Sequence, residues 1–400
     1  MAAAGLKTVL IEPLWKLRQE LNDLVGQSLD GYNFVTRARQ VDKLVMGASR
    51  TNLAYHAHWA LLRYLPVNLI KAYLNACAPL PSGIDLIYSV DHPILRKRPW
   101  VLHMSLEQPY LIIGQERVFR QWKWFLKPQL VSPHCKQIIY ELEAGKKAFL
   151  QSTGWAELES KTTVVHPAVP SRHFTKAYAS DENAPIRLLF VNSANINADK
   201  HFYTHGGAVL LEAFRRLGQR YSGLELVIRS NLPARVKHDL RQTANIRIID
   251  GVLPWADLER EFATADIFVY PTHVTPSRVF LDAMSFELPI VTTDIWGNSE
   301  FVDDGRTGYL ALHAGARAYT DGYVVHLDSP TFKRAVTKAD AELVQAVVDK
   351  VGVLVEDSGL RRRMGRAGRR EVEEGKFAWQ RHREAMKRVL DRAMNSGDRG

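Results

Sequence analysis

From Ile186 onward the chain alternates two patterns of apolar residues. Short apolar runs, IRLLFVNSA (186–194), LELVIRS (224–230), IRIIDGVL (246–253), DIFVYPT (266–272) and LPIVTTD (288–294), read as buried strands. Between them, GGAVLLEAFRRLGQRY (206–221), ARVKHDLRQTA (234–244), WADLEREFATA (255–265) and SRVFLDAMS (277–285) place apolar residues at helical spacing. Strands alternating with helices at this spacing predict βαβ units, a parallel sheet and right-handed crossovers. In SRVFLDAMSFELPIVTTD, Ser277 is the expected N-cap, and Val279, Phe280, Met284 and Phe286 are the expected apolar positions. Pro289 blocks further helix.

The N-terminal half is less regular but also reads as α/β. Its candidate strands are KTVLIEP, YNFVTRA, KLVMG, DLIYSV, WVLHMS and LVSPH, and residues 52–76 read as helical. After Lys161 periodicity fades and Pro, Ser and Asn accumulate. The expected division is an N-terminal domain over 1–165, a linker over 166–185, a C-terminal domain over 186–375, and a final helix in 376–400 that packs back on the N-terminal domain. Two doubly wound domains would face a cleft, with ligands at the C-terminal ends of both sheets.

Composition narrows the class. Four hundred residues exceed one ordinary core, and 46% apolar with 24% charged residues suits a soluble globular protein. Cys77 and Cys135 form neither a disulfide framework nor a metal pattern. The N-terminus lacks the apolar core of a signal peptide, and no long uncharged apolar run predicts a membrane span. A cytoplasmic protein is expected. The net charge of +10 fits nucleic acid, an anionic membrane surface or a phosphorylated substrate. LRRRMGRAGRR (360–370) reads as a solvated helical face interrupted by glycine. RKRPW (96–100) and RVFRQWKWFLK (117–127) interleave basic and aromatic residues, which suits a membrane interface; packing of Trp122 and Trp124 into the core is the alternative.

Strand, loop, helix start, helix and strand follow one another from Asp266 to Asp294, and in a parallel sheet such a loop is where anions bind. PTHVTPSRVFLDAMSFELPIVTTDIWGNSEFVDDGRTGYL (271–310) resembles the nucleotide-sugar-binding segment of GT-B glycosyltransferases, in particular the retaining family 4. HGGAVLLEAF, IIDGVLPWADLEREFATADIFVYPT, VVHPAVPSRHF and WVLHMS resemble further pieces of that family in the same order. The resemblance implies an α/β GT-B fold of two Rossmann-like domains. It also implies transfer of a hexose-like sugar from a nucleotide diphosphate sugar to an acceptor hydroxyl in glycan biosynthesis, with retention.

Residue by residue, the resemblance implies that Asp282 holds the ribose and that Gly251 and Val252 meet the base. Thr275, Pro276 and Ser277 would face the diphosphate, and Glu300 would lie in a turn beside it. His103 would end an N-domain strand near the sugar. The chain also departs from the pattern. The family's paired glutamates are reduced to Asp282, with Val274 eight residues earlier. Its basic pair is altered: Asn192 follows the strand, and His205 stands where a lysine is expected. Lys200 and Arg278 are the candidate replacements. The catalytic candidates are therefore His103, Lys200 and Arg278. Donor-binding candidates are Asn192, His205, Gly251, Val252, Thr275, Pro276, Ser277, Asp282 and Glu300. No metal and no cofactor are implied, the nucleotide sugar being a substrate. Expected partners are that donor and a glycan or lipid-linked acceptor, with peripheral contact at the inner membrane face and no nucleic acid. The rival readings are a non-catalytic nucleotide-sugar or glycan binder, which the lost glutamate suggests, and a basic nucleic-acid binder, which no reading motif supports.

Overall fold

The computed structural model describes residues 6–12, 29–36, 64–105, 108–172, 174–177, 184–192, 198–240, 243, 245–251 and 253–395. The chain divides into two compact units. One comprises Met1–Pro167, Gly322–Val324 and Gln380–Gly400; the other comprises Ala168–Asp321 and Val325–Trp379. The expected strand KLVMG and residues 52–63 of the expected helix lie outside the described residues. Within the described part of that helix, residues 64–66 are not helical and the helix runs Val67–Cys77, starting after Pro66.

The first unit is built on strands β1 (Lys7–Glu12), β2 (Tyr32–Thr36), β3 (Leu86–Val90), β4 (Trp100–Met104), β5 (Cys135–Tyr140) and β6 (Thr162–Val164). They lie in the order β2-β1-β3-β4-β5-β6, every pair parallel. All five residues of β4 are buried, as a parallel sheet covered on both faces requires. Met386, Val389, Leu390 and Ala393 of helix Trp379–Asn395 pack on Val9, Ile11, Tyr88, Val101 and Ile139 of this sheet. Tyr32 donates to Asp391 at 2.6 Å on the same helix.

One expected strand is corrected. LVSPH is not a strand: Lys127–Val131 is helical, and the strand is the following CKQIIY. Pro128 sits in the first helical turn, where its missing N–H costs nothing, and Leu126 and Leu130 turn one apolar face inward. Pro133 then disfavours helix at Ser132, and the chain extends.

The second unit carries β7 (Ile186–Val191), β8 (Leu224–Arg229), β9 (Ile246–Ile249), β10 (Ile267–Tyr270), β11 (Ile290–Thr293) and β12 (Gly308–Ala311). Their order is β12-β11-β10-β7-β8-β9, again parallel throughout. The first three strands run outward on one side and the next three on the other. The order therefore reverses between β7 and β10, the point at which doubly wound sheets bind ligands. The core between sheet and helices is aromatic: Phe268 stacks on Phe262 and on Tyr270, and Tyr270 stacks on Phe190.

The glycines of the basic run are not an interruption. Helix Ser358–Glu373 is continuous, with Met364, Gly365, Ala367, Gly368 and Val372 buried. A Cβ on Gly365 would stand 2.0 Å from the Glu287 carbonyl oxygen, so glycine lets this helix close on the end of helix Ser277–Ser285. Its arginines are partly spent in ion pairs: Arg369 reaches Glu287 at 3.1 Å and Glu373 at 2.7 Å.

Candidate functional site

The candidate site occupies the C-terminal strand ends of the second unit. Pro271 ends β10, and the following loop is pinned by hydroxyls. Thr293 Oγ1 donates to the Thr272 carbonyl at 2.6 Å, and Thr272 Oγ1 donates to the Val274 carbonyl at 2.8 Å. Thr275 Oγ1 accepts from the Gly297 amide at 3.2 Å. Val274 is buried among Ile295, Tyr319 and Phe332, so the position eight residues before Asp282 is an apolar anchor. Pro276, half-buried, is the N-cap of helix Ser277–Ser285; Ser277 is its first residue and makes no capping bond, which corrects its expected N-cap role.

Gly206 has φ +83, and a Cβ there would lie 1.9 Å from the Pro271 carbonyl oxygen. Only glycine lets helix Gly207–Arg220 begin against this loop. His205 just before it is buried and lies 3.1 Å from Thr272 Oγ1. Burial, with His201 beside it, pushes its pKa down to about 3. The imidazole is neutral and does not supply the positive charge expected at this position. His273 is likewise pushed down to about 3 by burial and by His313 and His205. Its Nδ1 is 2.8 Å from Tyr319 Oη, which is 2.9 Å from His313 Nε2.

Asp282 is buried one turn and a half into its helix. Arg172 Nη2 donates to one oxygen at 2.8 Å and Arg278 Nε to the other at 3.3 Å. Burial raises its pKa, while Arg278 and Arg172 pull it down. Arg172 also pairs with Glu259 at 2.9 Å and lies 4.4 Å from the centre of the Trp255 ring. The acid and the cation proposed at this helix start are thus brought together, and the linker arginine joins them.

Asn192 follows β7 and is buried; Tyr270 Oη donates to its Oδ1 at 3.5 Å. Gly251 follows β9 with φ +87, and its amide donates to Asn231 Oδ1 at 3.3 Å. Glu300 lies half-buried in the short helix Asn298–Phe301. Val252 and the Lys200 side chain lie outside the described residues; the Lys200 backbone belongs to helix Ala198–Thr204. His103 belongs to the first unit. It is buried in β4, with Nδ1 2.8 Å from Tyr88 Oη and Nε2 3.5 Å from Glu141 Oε1.

Sequence reasoning missed three features here. Arg172 stands inside VPSRHF, in the stretch that reads as linker. The His273–Tyr319–His313 chain joins residues far apart in sequence. Arg229 ends the apolar run LELVIR, and a charge closing a buried strand is a signal that could have been read. Its guanidinium is buried and bonds the Asn192 carbonyl.

Residues 194–327 match the family model described as "Glycosyl transferases group 1". The spore coat protein SA of Bacillus subtilis (strain 168) is 27% identical over 153 residues, 38% of this chain and 33% of that protein. The capsular polysaccharide biosynthesis glycosyltransferase CapM of Staphylococcus aureus is 25% identical over 178 residues, 43% of this chain and 38% of that protein. The chain thus spans little more than a third of the length of these curated relatives. A solved structure of Anabaena Alr3699/HepE in complex with UDP and glucose superposes with a TM-score of 0.60 at 15% identity, covering 96% of this chain and 99% of that one. This protein has the GT-B fold, and residues 194–327 of its second unit are similar to the group 1 glycosyl transferases.

Proposed function

We propose that the protein is a glycosyltransferase that moves a sugar from a nucleotide diphosphate sugar to an acceptor hydroxyl, with retention of configuration. The observation that carries this reading is the parallel sheet reversing between β7 and β10, with the family match lying over the loops at its carboxyl edge. The UDP complex of the similar fold supports a nucleoside diphosphate as the leaving group. Such a group already leaves well, so the protein's part is to orient the donor and neutralise the departing charge. Asp282 accepts from the ribose hydroxyls: an ionised carboxylate has about four acceptor positions, and two guanidiniums use only part of them. Gly251 and Val252 meet the base, and Thr275, Pro276 and Ser277 stand against the phosphates. Lys200 and Arg278 supply charge, and His103 acts at the sugar.

The buried Val274 and the neutral His205 favour one other reading, a nucleotide-sugar binder without turnover. Release of nucleoside diphosphate from a panel of nucleotide sugars, with and without glycan acceptors, separates the two. Sustained release supports the transferase; tight binding with no release supports the binder.

For the acceptor, we propose a lipid-linked glycan presented at a membrane surface. Trp124 and Phe125 are 58% and 63% exposed, beside exposed Arg117 and Arg120. Among the described residues no helix is long and apolar enough to cross a membrane, so the contact would be peripheral. Co-flotation with anionic vesicles at low salt, reversed by high salt, supports this; no flotation at low salt removes it.

A further inference from the structure

Arg229 is the last residue of β8, paired with Val191 of β7 and Ile249 of β9. It therefore stands at the carboxyl edge of the sheet, one strand from the reversal point. It is 7% exposed. One guanidinium nitrogen bonds the Asn192 carbonyl, and the buried Nε has no partner. No carboxylate among the described residues pairs with it. Burial lowers its pKa, but a guanidinium stays protonated near neutrality.

A single neutral carbonyl does not offset the desolvation of a buried cation, which costs several kcal/mol. A charge kept in that state is matched to an anion that arrives from outside. Of the other basic groups of this site, His205 and His273 are neutral, and Arg278 shares its charge with Asp282.

We infer that Arg229 is an anion-binding residue of this site and that, on the glycosyltransferase reading above, it meets the diphosphate of the donor. It supplies at the carboxyl end of β8 the charge that His205 does not. A guanidinium also suits the anion better than a lysine, because its planar fork can hold two phosphate oxygens at once.

The test uses the full chain and the variants Arg229→Met and Arg229→Lys, titrated calorimetrically with UDP, GDP, ADP and inorganic pyrophosphate. Arg229→Met should bind the preferred diphosphate about 10- to 100-fold more weakly, with Arg229→Lys between it and the wild type. The unfolding midpoint of ligand-free Arg229→Met should stay level or rise, because an uncompensated buried charge has gone. A structural brace gives the opposite pair of results: a lower ligand-free midpoint and unchanged diphosphate affinity. That outcome overturns the inference and leaves the glycosyltransferase reading standing. Arg229-dependent binding of pyrophosphate with no binding of any nucleoside diphosphate keeps the anion site and overturns the donor reading. No binding of any of the four by the wild type overturns both.

Discussion

Replacing Asp282 by alanine tests the ion network and the nucleotide site at once. The carboxylate is 5% exposed and holds Arg172 and Arg278 at 2.8 and 3.3 Å. Each such charge-assisted bond contributes about 1.5–3 kcal/mol, and breaking a buried pair costs about 3–5 kcal/mol. Two features move the loss toward the low end. Arg172 keeps Glu259 at 2.9 Å and the Trp255 ring, and the Arg278 side chain is 27% exposed and regains water. A loss of about 3 kcal/mol is expected, which lowers the midpoint of a unit of about 200 residues by about 6–12 °C. Calorimetric unfolding reads this directly. Affinity for the nucleoside diphosphate, measured well below the new midpoint, should fall by about 1–3 kcal/mol as the ribose loses its acceptor. A midpoint within about 2 °C of the wild type would refute the network. A lowered midpoint with unchanged affinity would keep the network and remove Asp282 from the ribose.

Three further outcomes are expected. His205 and His273 both sit near pKa 3 in the fold, against about 6.5 unfolded, so between those values the unfolded chain binds more protons. Stability is complete above about pH 6.5 and falls with acid by about 1.4 kcal/mol per pH unit for each histidine. Midpoints measured from neutral pH downward should show that slope, His205→Gln should reduce it, and a flat profile would contradict the buried neutral assignment. Gly365→Ala should destabilise by about 1–3 kcal/mol because its methyl meets the Glu287 carbonyl, whereas Gly368→Ala, 3.4 Å from Met284 Cγ, should cost under about 1 kcal/mol; equal urea midpoints for the two would refute the close helix approach. His103→Ala should lower turnover far more than donor affinity, since a contact made as the glycosidic bond breaks acts on the transition state. Unchanged turnover would make His103 a structural partner of Tyr88 and Glu141.

The second sheet was legible because its strands are short apolar runs between helices of clear amphipathic period. Ile186–Val191, Leu224–Arg229 and Ile290–Thr293 all fall inside runs that the pattern marks. The strand at Cys135–Tyr140 was missed because its polar Lys136 and Gln137 break the run, while neighbouring LVSPH looked extended around a proline that starts a helix. The glycines at 365 and 368 looked like breaks because close approach to another helix is a property of the partner surface. At the site, Asp282 could be placed from its motif. Arg278, one turn earlier on the same helix, could be placed with it; Arg172 could not, because it comes from a stretch with no periodicity. Nor does any local spacing disclose that His205 is neutral; that follows from its burial, with His201 beside it.

On the reading proposed above, the carboxyl edge of the second sheet binds a nucleoside diphosphate. The most direct test is the unfolding midpoint of the wild-type chain in the presence of UDP, GDP, ADP and their sugars. A ligand at about 100 times its dissociation constant stabilises the fold by about 2.7 kcal/mol, which for a unit of this size is a rise of about 5–11 °C. Such a rise, saturating with concentration, is expected for the diphosphates and sugars of one base. No rise with any of them, at concentrations up to the millimolar range, would contradict that reading.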